Sequence, residues 1–221
     1  MSVSAPQQDM VRGAARGLAK AGLVHAFGHC SLRLDRGSFL VCAAMPMGQI
    51  IDQDGVVVPL DGPLPDGVLG EVRIHREVYR RRPDAGGICR IMPPATMALS
   101  TVGLVPRPRH GIGAYFDRLP LWDDPRLLRD DAAAAALADM LDGAQALVMR
   151  GNGAITVGES LPQAVTLAYF LEDAARVERD VRTMGLDPGN GLLSPEEVSA
   201  RQVWSGGVVE RMWAHLTGGD L

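Results

Sequence analysis

Hydrophobic and polar positions along this chain follow two periods, and each change of period marks an element. Residues 8–22 (QDMVRGAARGLAKAG) put apolar side chains on one helical face and stop at Gly22, which predicts an amphipathic helix. The run Cys30-Ser31-Leu32-Arg33-Leu34 alternates with period two and predicts a strand. Residues 38–43 predict its hairpin partner through the Asp35-Arg36-Gly37 turn. Val56-Val57-Val58 is a third short strand. A helix is predicted over 71–82 and closed by Pro83, then an apolar strand over 86–91 and a helix over 95–102 behind Pro93-Pro94. An Ala-rich helix over 130–141 precedes a hairpin of residues 146–149 and 154–157 around Arg150-Gly151-Asn152-Gly153. Ser160 and Gln163 form a capping-box pattern that opens a helix to about residue 184. A Gly/Asn/Pro linker follows, and Ser194 caps one final helix carrying Trp204 and Trp213. The hairpin connections are too short for parallel crossovers, so the pattern predicts a mixed α/β domain with mostly antiparallel pairing. A single domain is expected over 1–221, with 1–7 a loose terminus and 194–221 a helical extension.

Composition narrows the function classes. Hydrophobic residues make up 47% of the 221, enough for a sizeable core. A net charge of −4 gives no electrostatic reason to expect nucleic acid or an anionic membrane as partner. No apolar run approaches the ~18 residues of a membrane span, and MSVSAPQQDM lacks a secretory pattern, so a cytoplasmic protein is expected. Cys30, Cys42 and Cys89 fit neither a disulfide framework nor a zinc-finger spacing. Lys20 is the only lysine and sits in the first helix, a poor place for Schiff-base chemistry.

Candidate chemistry concentrates in Gly70 to Gly103. Helical spacing puts Glu71 and His75 on one face, beside a strand-to-helix corner. Upstream, the small-residue turn Gly28-His29 can turn backbone N–H groups toward an anion.

Four stretches, GLVHAFGHCSLRL, GEVRIHREVYRRRPDAG, MPPATMALSTVG and ALVMRGNGAITVGESLPQAVTLAYFLEDAARV, resemble the class II aldolase/adducin superfamily over roughly residues 8–215. AFGHCSLR and the closing LSPEEV…RMW look most like its aromatic-acid decarboxylase branch. The sugar-phosphate aldolases usually have Ser-Gly-Asn where this chain has Gly28-His29-Cys30. The resemblance implies a three-layer α/β fold, with a central, mostly antiparallel sheet flanked by helices. It also implies a homotetramer with active sites at subunit interfaces. It implies a divalent metal on three histidines, two from a His-x-His strand and one from the later hairpin, with a glutamate on the preceding helix. Aligning Pro93-x-Ala95-Thr96 puts the strand pair at Cys89 and Ile91, and aligning Arg150-Gly151-x-Gly153 puts the third ligand at Asn152. Isoleucine cannot bind a metal and an asparagine amide binds weakly, so no metal and no organic cofactor are expected.

The candidate catalytic residues are Glu71 as acid/base, His29 and Tyr115. The candidate substrate contacts are Gly28, Ser31, Cys89, Asn152 and Arg150. Each has a plainer reading. Glu71 can be a carboxylate favoured at a helix N-terminus, His29 a locally bonded turn residue, Cys89 a small buried strand residue, Asn152 a left-handed turn residue and Arg150 a strand-end ion pair. His75 reads as helix packing. Arg90, one step from Cys89, is expected to point away from the pocket. Two functions stay open. One is a metal-independent lyase (decarboxylation, aldol or retro-aldol cleavage, dehydration or isomerisation) on a small oxygenated carboxylic acid, by analogy in a specialised biosynthetic pathway. The other is an inactive pseudoenzyme serving as a binding or assembly module. An open polar pocket favours the first, and a pocket filled by Ile91 and Met92 favours the second.

Overall fold

The computed structural model describes residues 3–218. Among these residues, seven strands form one sheet: β1 (His29–Arg33), β2 (Ser38–Val41), β3 (Val56–Pro59), β4 (Gly87–Ile91), β5 (Leu121–Trp122), β6 (Ala146–Met149) and β7 (Ala154–Gly158). Their spatial order is β3-β2-β1-β4-β7-β6-β5. Every neighbouring pair is antiparallel except the two-residue β5, which runs parallel to β6. The helices are α1 (Ala5–Lys20), α2 (Arg73–Arg81), α3 (Pro94–Thr101), α4 (Asp131–Leu141), α5 (Leu161–Thr183), α6 (Pro195–Arg201) and α7 (Val208–Thr217).

The sheet separates two cores. On one side Val11, Leu18, Leu167, Leu171 and Trp213 of α1, α5 and α7 pack on Cys30, Cys89, Ile91 and Val148. On the other, Ile74, Val78, Tyr79, Leu137 and Leu141 of α2 and α4 pack on Phe39, Ile88, Leu147 and Ile155. Each wholly buried aliphatic side chain contributes roughly 1.5–3 kcal/mol. This is the helix–sheet–helix layering that the family resemblance implies. Helix α2 shows how a very polar sequence, RIHREVYRR, reaches a core. Ile74, His75, Val78 and Tyr79 fall on the buried stripe. The charges between them pair sideways, Arg80 and Arg81 both holding Glu77.

The element ends differ from the sequence pattern for local reasons. Helix α1 starts at Ala5, inside the stretch expected to be a loose terminus, because Ser4 N–H donates to Gln7 Oε1 at 2.9 Å and Pro6 suits the first turn. At α5, Ser160 Oγ accepts from Gln163 N–H, but Gln163 Oε1 reaches Glu159 N–H and so serves the residue before the cap. The single C-terminal helix is two helices. Helix α6 ends at Arg201, and after a break Gly206 and Gly207, at φ +77° and +70°, take a left-handed path that leads into α7. Trp204 lies in that break and Trp213 in α7.

Candidate functional site

Three strands end at one place. The register pairs His29 of β1 with Arg90 of β4, and Ile91 of β4 with Ala154 of β7, so the chain leaves these strands side by side. Gly28 lies just before β1, Met92 just after β4 and Asn152 in the β6–β7 turn. The 3₁₀ turn Gly70–Val72, which feeds α2, brings Glu71 over the same end. Together Gly28, His29, Glu71, Arg90, Met92 and Asn152 line a cavity of about 400 Å³, with exposed Phe27 and Leu127 at its rim.

Arg90 organises the cavity floor. It is 2% exposed. Its Nη1 donates to the Ile91 carbonyl at 2.7 Å and its Nη2 to Asn152 Oδ1 at 2.9 Å, while Glu71 Oε2 stands 3.5 Å from Nη2. Burial pulls the guanidinium below its ordinary range and the Glu71 charge opposes that. Gly153, at φ +80°, closes the hairpin onto β4. A Cβ at that position would overlap the Ile91 carbonyl oxygen and approach Arg90 Nη1 to 3.0 Å.

Four buried polar atoms on residues that line this cavity have no partner among the described residues: His29 Nε2, Glu71 Oε1, Arg90 Nε and Asn152 Nδ2. An unsatisfied buried polar atom costs about 1–3 kcal/mol, so a cluster of four on one wall is suited to a polar occupant. Larger hollows exist, one of about 430 Å³ beside Tyr115 and Trp204 and one of about 800 Å³ beside Arg33 and Tyr79. None of their lining side chains carries such an atom, so the chemistry selects the smaller cavity.

Behind His29 runs a buried chain of polar contacts. His29 Nδ1 lies 2.9 Å from His75 Nε2, His75 Nδ1 lies 2.6 Å from Ser31 Oγ, and Ser31 Oγ lies 2.9 Å from Tyr79 Oη. The Tyr79 hydroxyl also donates to the Ser31 carbonyl at 3.1 Å. Desolvation holds His29 well below its ordinary value, with His75 and Arg90 adding repulsion. Desolvation and Arg90 push His75 down to about 3. Both rings are therefore neutral near pH 7.

The structure sorts the residues singled out from the sequence. Gly28, His29, Glu71 and Asn152 meet at the cavity. Cys89 does not reach it: the thiol is wholly buried on the α5 side of the sheet, where burial raises its pKa. Ser31 lies behind the wall, in the histidine chain. Arg150 is bound to Asp123 outside it. Tyr115 donates to the Val203 carbonyl at 2.6 Å and packs between Phe170 and Trp204, away from the cavity of its own chain. The expectation for Arg90 is corrected, because Arg90 and Met92 are the cavity-facing pair and Cys89 and Ile91 face the opposite core. A signal was present: Arg90 is the one charge in an apolar strand, and a buried strand keeps an arginine only where something pairs with it. Ile91 does not fill the pocket and Met92 only lines it, so the cavity is open, with a few polar groups set in a mostly apolar lining.

A divalent metal, which the resemblance implies, can be tested against these groups. The wall offers one carboxylate, one imidazole nitrogen and one amide, and a guanidinium lies between the carboxylate and the amide. Among the described residues, no group of three or more His, Cys, Asp or Glu side chains stands together to hold a metal ion. A fixed cation beside the weak amide donor opposes a second cation, so the residues present do not fit a divalent metal.

Comparison with known proteins places the fold. The model of the class II aldolase and adducin N-terminal domain matches residues 9–178. A 3,4-dihydroxyphthalate decarboxylase of Terrabacter sp. (strain DBF63) is 29% identical over 202 residues, covering 82% of this chain and 83% of that protein. One from Arthrobacter keyseri is 28% identical over 199 residues, covering 80% and 79%. The crystal structure of L-fuculose-1-phosphate aldolase from Thermus thermophilus superposes with a TM-score of 0.75 at 30% identity, covering 86% of this chain and all of that one. A structure of an aldolase II superfamily protein from Pseudomonas syringae shares the fold, with a TM-score of 0.79 at 24% identity over 98% and 94% of the two chains. With the matched domain spanning most of the sheet and every residue of the cavity wall, the chain belongs to the class II aldolase and adducin family.

Proposed function

We propose that the chain is a carbon–carbon lyase of the decarboxylase type, acting on a small hydroxylated carboxylic acid without a resident metal. One observation carries the reading: unpartnered atoms of His29, Glu71 and Asn152 accompany the buried Arg90 guanidinium, whose own Nε is also unpartnered, on the wall of an open cavity. Two relatives named as decarboxylases of a dihydroxy aromatic diacid support the reaction type and the substrate class.

Loss of CO2 from R–COO⁻ leaves the bonding electron pair on R, and R must then take a proton to give R–H. The pair is best spread onto an oxygen conjugated with that carbon, such as a ring hydroxyl beside the departing carboxylate. Arg90 is the fixed cation for that oxygen, with Asn152 Nδ2 as a second donor. Preorganised donors of this kind are each worth about 3–4 kcal/mol in a transition state. Glu71, through its free Oε1, brings the proton to the carbon. His29 Nε2 holds the substrate's polar edge. Arg150 and Tyr115 serve structure in this reading, and Cys89 serves packing.

The test is turnover of 3,4-dihydroxyphthalate by protein stripped of metals and assayed in EDTA, followed as CO2 release. Turnover by the stripped protein supports the reading. Activity that appears only when a divalent metal is restored overturns its metal-free part. No turnover with or without metal overturns the assignment of substrate class.

A further inference from the structure

The polar chain behind His29 ends in a backbone carbonyl, and it can be protonated in two complete ways. A neutral imidazole has one N–H and one bare nitrogen. In the first arrangement, the Ser31 hydroxyl donates to His75 Nδ1, His75 Nε2–H donates to His29 Nδ1, and His29 carries its proton on Nε2, facing the cavity. In the second, His29 Nδ1–H donates to His75 Nε2 and His75 Nδ1–H donates to Ser31 Oγ. The Ser31 hydroxyl then donates to Tyr79 Oη, and Tyr79 donates to the Ser31 carbonyl, which leaves His29 Nε2 bare toward the cavity. Both arrangements keep the His29–His75 and His75–Ser31 contacts with no side chain moving; the second uses all four short contacts, while in the first the single Tyr79 proton goes either to Ser31 Oγ or to the Ser31 carbonyl. His75 lies in the core against Phe39 and is wholly buried, so solvent does not choose between them. The choice falls to whatever stands at His29 Nε2, the chain's one free end.

We propose that His75, Ser31 and Tyr79 are positioning residues that make His29 a two-tautomer reader. It donates to an anionic oxygen and accepts from a hydroxyl, in one place and with one geometry. The proposal rests on the cavity being the substrate site. It adds that a carboxylate and a hydroxyl of one hydroxy acid can each in turn occupy the same contact, as a substrate that loses its carboxylate requires. The Arg90 guanidinium stays beside the ring in both states, and the ring's polarity is set by hydrogen bonding and not by titration.

The test is ¹⁵N-histidine NMR of the intact protein between about pH 6 and 8, with benzoate as the carboxylate probe and phenol as the hydroxyl probe. With benzoate, His29 is expected as the Nε2–H tautomer, and with phenol as the Nδ1–H tautomer. Tyr79→Phe and Tyr79→Leu each remove the acceptor that the Ser31 hydroxyl needs in the second arrangement and leave its donation to His75 Nδ1 in the first intact. Each should fix His29 as Nε2–H and shift the ratio of benzoate to phenol affinity about tenfold toward benzoate, the scale of one hydrogen bond. Two variants are used so that a folding defect in one leaves the other decisive. One tautomer with both probes, or an unchanged affinity ratio in the folded variant, overturns the proposal. Loss of benzoate binding in Arg90→Met tests the cavity assignment separately. Tautomer switching without turnover of 3,4-dihydroxyphthalate would retain the reader and reject the lyase.

Discussion

The two faces of β4 do opposite jobs one residue apart. Cys89 and Ile91 face α5 and join an apolar core. Ile88 and Arg90 face the other way, Ile88 into the α2–α4 core and Arg90 onto the cavity floor. A strand's period of two makes the contrast absolute, since a slip of one residue exchanges the whole set. Anchoring the family pattern on Pro93-x-Ala95-Thr96 makes that slip and selects the packing face as the chemical one. The cavity itself selects Arg90 and Met92, the positions one step further along. The difference teaches that a site on a strand is located by register against its neighbours, here His29 opposite Arg90, more securely than by a nearby proline.

The comparison is most directly broken by substitution at neighbouring positions. Arg90→Met should lower turnover of 3,4-dihydroxyphthalate about a thousandfold, the loss expected for a fixed transition-state donor, while circular dichroism reports an unchanged fold. Glu71→Gln should lower kcat about a hundredfold, with a smaller change in KM, if it moves the proton; equal turnover would remove that role.

The cavity side of the sheet also makes stability depend on pH on the acid side. His29 and His75 have folded pKa values below their ordinary 6.5, His75 at about 3. The folded state therefore favours the neutral rings, and their stabilising contribution is complete above about pH 6.5. It is lost as pH falls from there toward about 3, where the unfolded chain binds protons that the folded one refuses. Denaturant titrations should show stability falling by up to about 1.4 kcal/mol per pH unit for each ring, and His75→Gln should make that slope shallower. Cys89→Ala should do the reverse of Arg90→Met, leaving turnover within about twofold and costing about 1–2 kcal/mol through the small cavity it opens, read as a Tm lower by a few degrees. The smallest expected effect is that of EDTA, which should leave the rate unchanged.

Much of the fold was legible because each element carries its own period and punctuation. The hairpin at Gly151 and Gly153, the capped start of α5 and the buried stripe of α2 are local facts; β1 follows from alternation and the other strands from short apolar runs between turns, while the two-residue β5 left no such signal. The split of the last helix was harder to read, because Gly206-Gly207 interrupts a segment whose flanks are both helical. The site was half legible. Gly28, His29, Glu71 and Asn152 come from turns and helix starts, where local sequence decides position. Arg90 was missed because its direction depends on pairing with β1 and β7; Tyr79 was missed, and Ser31 and His75 were singled out without their link, because a hydrogen-bonded chain across two elements leaves no spacing in the sequence.

Gly153 bears on how such a site can be gained or lost. The carbonyl that Arg90 Nη1 grips belongs to Ile91, and the backbone of the hairpin turn passes over both. One added methyl group at position 153 would press on the acceptor and the donor together and tip the guanidinium out of its seat. The charge on the floor is thus conditional on the volume of one residue in the β6–β7 turn, a position with no polar side chain of its own to offer. Drift at the cavity wall can trade one polar group for another and keep an anion site, whereas drift at this turn can close the site without touching a single charged residue.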